Sequence, residues 1–122
     1  MRQSDAQNHV KAALLTVSME TRNASTLTVQ SSIPSFTEGE GVFFLEEQAL
    51  KLRGTGGSTR TLVENVSTWN VSTSAASNTV AFSLSLDEDW FAYTFHSAVH
   101  LNNITPETQS GTVLLFTLPQ FP

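Results

Sequence analysis

The 122-residue chain has no cysteine, few charges and no long apolar run, and each shortage removes a class of protein. Without cysteine there is no disulfide framework, no thiolate metal site and no catalytic thiol. Asp, Glu, Lys and Arg make up 14% of the residues, against about 25% in an average soluble protein. Six basic residues and a net charge of −5 argue against nucleic acid, because phosphate recognition selects clustered Lys and Arg. No run approaches the roughly 18 apolar residues needed to cross a bilayer. The stretch Ala12-Ala13-Leu14-Leu15 is short, follows polar residues and makes a poor signal peptide.

Hydroxyls take the place of charge: 15 Ser and 16 Thr, about a quarter of the chain. Uncharged hydroxyls lose less on dehydration than carboxylates or ammonium groups. Protein contact surfaces are likewise depleted of charge at their centres. The composition therefore points to a domain that packs against copies of itself or a larger scaffold. The plainer alternative is an ordinary Thr-rich β domain, since β-propensity alone enriches Thr.

Alternation of apolar and polar residues over 79–101 sets the fold class. Val80, Phe82, Leu84 and Leu86 occupy one face of a strand, and Ala81, Ser83 and Ser85 the other. After Asp87-Glu88-Asp89 the pattern resumes with Phe91, Tyr93, Phe95, Val99 and Leu101. A four-residue loop over 87–90 would pair Leu86 with Phe91, Leu84 with Tyr93 and Phe82 with Phe95, all on one face.

Val42-Phe43-Phe44-Leu45 and residues 112–118 are apolar on both faces, as in covered strands. Residues 48–53 and 59–66 form two more strands around the turn Gly54-Thr55-Gly56-Gly57-Ser58, with Leu50 opposite Leu62. Ile33-Pro34-Ser35 breaks a ladder, because proline donates no hydrogen bond. Residues 67–77 surround a lone Trp69 with Ser, Thr, Asn and Ala and suit an edge strand or a long loop.

The start of the chain reads two ways. Residues 1–8 are polar, and an N-terminal arm is expected over 1–11. Val10, Ala13, Leu14 and Val17 keep a helical period, and Ser4-Asp5-Ala6-Gln7 has the spacing of a capping box. A strand over 12–21 instead puts Ala13, Leu15, Val17 and Met19 on one face. That strand is preferred here, because a hairpin at 22–24 would set Met19 against Leu27 and Val17 against Val29. The expectation is one domain over 1–122: an all-β, antiparallel β-sandwich or small barrel of about eight strands.

Candidate sites are weak. His96 and His100 could share a metal on a helix, but on a strand they lie roughly 13 Å apart. The glycine-rich 54–58 segment lacks the Lys and the following helix of a phosphate-binding loop. Lys51, Arg53 and Arg60 nearby leave only weak anion binding. Asp87-Glu88-Asp89 lacks the spaced oxygens of a calcium loop. Glu38, Glu40, Glu46 and Glu47 could supply a glycosidase pair only if two faced each other across a cleft. Ser97 follows His96, but no Gly-x-Ser-x-Gly elbow exists. Asn23, Asn65, Asn70 and Asn103 begin Asn-x-Ser/Thr triplets, which the composition largely explains.

Trp69, Trp90 and Tyr93 are the interface candidates, and could alternatively stack on sugars. Trp90 leads, because a hairpin tip is a poor place to bury a large ring. The expected function is that of a non-enzymatic structural and assembly module, a homo-oligomer or a coat on a larger scaffold, with no cofactor and no metal. Its general character suits a virion component such as a capsid decoration or tail-associated protein. The alternative is a lectin-like β-sandwich binding carbohydrate or a small ligand, followed by a small hydrolase using Glu or His.

Overall fold

Val10, Ala13 and Val17 recur at the helical period, and the chain takes that option. In the computed structural model, α1 runs Arg2–Arg22. The structure describes residues 2–88, 91–102 and 104–118, without the side chains of 2–7, 87–88 and 91–92. The strand expected over 12–21 is therefore corrected, and residues 2–11, expected as an arm, are the first half of α1. Burial gives the reason. Val10, Ala13, Val17 and Thr21 are buried on one face, whereas Leu15 and Met19, inward in the strand reading, are 59% and 60% exposed. The helix ends where the Asn102 amide donates to the Arg22 carbonyl, satisfying a terminal acceptor.

Nine strands follow: β1 (Thr26–Gln30), β2 (Glu40–Glu46), β3 (Ala49–Arg53), β4 (Thr59–Val63), β5 (Val66–Ser74), β6 (Thr79–Glu88), β7 (Phe91–His100), β8 (Ser110–Gly111) and β9 (Val113–Thr117). They form two antiparallel sheets, ordered β1-β9-β2-β3-β4 and β7-β6-β5-β8. The architecture is an all-β sandwich, not a closed barrel. Since β1 and β2 flank β9, the connection over 31–39 must pass across that strand.

β2 and β9 are covered on both faces, as their continuous apolar runs require. Phe43, Leu114 and Phe116 enter the core between the sheets, while Val42, Phe44, Val113 and Leu115 form a second buried cluster. β1 pairs with β9, Val29 opposite Leu114, so the hairpin expected with residues 12–21 is replaced by a long-range pairing. Between β3 and β4 an extra residue bulges the ladder, and Leu50 faces Val63 rather than Leu62.

The β6–β7 hairpin forms with its register moved by two residues. Leu86 faces Tyr93, Leu84 faces Phe95 and Phe82 faces Ser97. A slip of two preserves the buried face, which is why the pattern alone could not detect it. The ladder continues to Glu88 opposite Phe91, so the loop expected over 87–90 is corrected.

Residues 67–77, the least legible segment, supply most of β5. Val66, Trp69, Val71 and Thr73 point inward, with an irregularity between Val66 and Thr68. That irregularity breaks the alternation at the point where the chain crosses from one sheet to the other. On one side of the sandwich, α1 packs against β4 and β7. On the other, β1 meets β8, where the Thr112 amide donates to the Gln30 carbonyl.

Candidate functional site

The outward face of the β7-β6-β5-β8 sheet holds a trough of about 740 Å³. Its floor is one row of the smallest side chains. Ser110 pairs with Ser72, Ser72 with Ala81, and Ala81 with Ala98, one from each strand. The adjacent row, Asn70, Ser83 and His96, makes one wall, and Ser31 lies at the margin. Because the side chains of a strand alternate, all of these share one face with Thr79, Ser85, Thr94 and His100. Ser85 and Thr94 share a hydroxyl hydrogen bond across the strands at 2.9 Å.

This face carries no ionised carboxylate, Lys or Arg over Thr68–Ser74 of β5, Thr79–Ser85 of β6 or Thr94–His100 of β7. It accepts and donates hydrogen bonds through hydroxyl, amide and imidazole groups.

The residues singled out from the sequence are dispersed. Trp69 is buried and packs against Phe82 with ring centroids 5.9 Å apart, so its assignment as an interface or sugar-stacking residue is corrected. The reason is its inward position on β5. Tyr93 is half-buried on the inward side of β7 and packs against Phe95 at 6.1 Å. Trp90, the leading interface candidate, lies outside the described residues, as do Asp89 and Asn103.

His96 and His100 are exposed on one strand face, opposite Ser83 and Thr79. Among the described residues, no three His, Asp or Glu side chains gather where they could hold a metal. Glu38 and Glu40 sit at one end of β2 and Glu46 and Glu47 at the other, roughly 20 Å away. Glu46 is engaged with Lys51 at 3.2 Å.

The glycine-rich segment is the tip of the β3–β4 hairpin, closed by the Gly57 amide on the Gly54 carbonyl at 3.0 Å. A strand follows it, so no helix N-terminus faces an anion there. Arg53 donates to the Pro34 and Ser35 carbonyls and lies 5.6 Å from the centroid of the Phe36 ring. With Lys51 also paired, the basic group is largely spoken for.

The sequence reading missed the floor of the trough. The alternation over 79–85 and 94–100 marks Ala81 and Ala98 as outward. Nothing local, however, reveals that Ser72 and Ser110 join their row, since β5 is a hairpin partner of β6 hidden among small polar residues and β8 enters this sheet through long-range pairing.

Comparison with protein-family models finds no match to the chain. The curated proteins and the solved structures likewise offer no similar protein. No helix among the described residues is long and apolar enough to cross a membrane.

Proposed function

We propose that the protein is a non-enzymatic assembly module that associates with copies of itself through a sheet face poor in charge. The observation that carries this reading is the outward face of the β7-β6-β5-β8 sheet, surfaced over Thr68–Ser74, Thr79–Ser85 and Thr94–His100 by Ser, Thr, Asn, Ala and His. Burying such a face requires no desolvation of a fixed charge, the largest penalty in association. The centres of protein interfaces are depleted of charge in the same way. A scaffold coated by such subunits, a virion among them, is one setting for this role, chosen by general character rather than by a feature of the fold.

Light scattering across a wide range of protein concentration tests the proposal. The expected result is a mass that rises above that of one chain. A constant single-chain mass up to the solubility limit overturns it.

The carbohydrate-binding alternative retains one support, since about 740 Å³ suits a small ligand. Trp69 cannot serve it, because that ring is buried in the core, and Trp90 lies outside the described residues. A glycan array, read for selective retention, decides whether that alternative survives.

A further inference from the structure

The outward face of the β7-β6-β5-β8 sheet stands open. The helix packs against the border strand β7, not against β6 or β5. Asn70, Ser72, His96, Ala98 and Ser110 are exposed on this face, and Ala81 and Ser83 are half-buried. Rows of cross-strand partners give it relief. Thr68, Ser85 and Thr94 form one row, followed by Asn70, Ser83 and His96. Next come Ser110, Ser72, Ala81 and Ala98, and then Ser74, Thr79 and His100. Neighbouring rows lie two residues apart along each strand, roughly 6.6 Å. The Ser110–Ala98 row is the floor of the trough, and the row of Asn70, Ser83 and His96 stands beside it as a ridge.

Shape and chemistry both match this face to a copy of itself. A ridge one row away from a trough enters the trough of an identical face turned about a two-fold axis between the two rows. The polar groups here are hydroxyls, a carboxamide and imidazoles, and each kind can both donate and accept hydrogen bonds. Ammonium groups only donate and carboxylates only accept, so a face made of either cannot satisfy its own copy. Over 68–74, 79–85 and 94–100 this face holds neither.

We infer that the trough is filled by the Asn70, Ser83 and His96 ridge of a second copy of this chain, the two sheets stacked face to face. This rests on the assembly reading and names the residues that meet. The two-fold axis stands normal to the sheet between β5 and β6. Turning the face about it exchanges β6 with β5 and β7 with β8. Ser83 of one copy then lies over Ser72 of the other, Asn70 over Ala81, and His96 over Ser110. Stacked sheets sit about 10 Å apart, and the small floor side chains leave the room that a carboxamide and an imidazole take up. Each contact occurs twice, so the assembly closes as a dimer.

The chain has no cysteine, so cross-linking reads the packing directly. A Ser72→Cys chain mixed with a Ser83→Cys chain is expected to form a disulfide-linked pair about tenfold or more faster than Ser72→Cys mixed with Ser58→Cys. Ser58 is exposed at the β3–β4 tip, away from the face. Ala81→Trp fills the trough and is expected to weaken association about tenfold or more, with the melting transition retained. Thr61→Trp, exposed on β4 in the other sheet, is expected to associate as wild type.

A wild-type chain that stays single at every concentration sinks the assembly reading itself, and selective glycan retention by such a chain gives the trough to a sugar instead. In an associating chain, two outcomes leave that reading standing and overturn the stacked packing. One is a Ser72→Cys and Ser83→Cys mixture that links no faster than its control. The other is a folded Ala81→Trp chain that associates as wild type.

Discussion

Gly41 faces Phe116 across the β2–β9 ladder, and a Cβ built there would clash with the edge of the Phe116 ring. That ring is also stacked on Phe43 at 5.3 Å, so it has little room to withdraw. Gly41→Ala should therefore destabilise the fold by about 1–3 kcal/mol through overpacking, measured as a lower midpoint in urea. Glu47 and Gln48 form the two-residue turn between β2 and β3 with φ of 53° and 60°. Residues with side chains resist that region, and Asn-Gly is the preferred pair for such a turn. Replacing both, Glu47→Asn with Gln48→Gly, should raise stability by about 1 kcal/mol, seen as a higher melting temperature. At Trp69 the ring is buried while its indole N–H has no partner. Trp69→Ala should lose about 3–5 kcal/mol. Trp69→Phe should lose clearly less in the same denaturation assay, because it also removes an unsatisfied donor.

At the scale of an element, α1 distinguishes two readings of one segment. A strand would make Leu15 and Val17 equivalent, whereas the helix buries Val17 and exposes Leu15. Val17→Asp should then cost more than about 3 kcal/mol, because the carboxylate is buried without a partner. Leu15→Asp should change stability by no more than about 0.5 kcal/mol, as surface substitutions do. Equal losses in chemical denaturation would argue for the strand. The β6–β7 hairpin teaches a complementary lesson. Its two faces were legible in residues 79–101, but its register was not, since any even slip keeps Phe82, Leu84 and Leu86 inward. β5 hid for a different reason: it alternates small polar residues with Val66, Trp69, Val71 and Thr73, and an irregularity near Ser67 shifts the phase.

For the whole molecule, scarce charge sets how association should respond to salt. Contacts through hydroxyls and backbone need no ion pairs, and added salt screens the repulsion between chains of net charge −5. At fixed protein concentration, the average mass in light scattering should hold or rise from low to high salt. A fall would mark an ionic contact and count against the uncharged surface as the seat of assembly. The trough belongs to this scale too, since Ser72, Ala81, Ala98 and Ser110 come from four strands and meet only once the sheet is complete.

Local pattern was enough to determine that this chain is built of two-faced strands, that residues 42–45 and 112–118 are apolar on both faces, and that charge is scarce. Those properties depend on side-chain chemistry and on alternation along a few residues. Tertiary structure alone decided that residues 12–21 coil rather than extend, that β1 joins β9, and that Trp69 turns inward. Each of these is a choice between two locally acceptable arrangements. Each was settled by which apolar surface remained to be covered once the two sheets had packed.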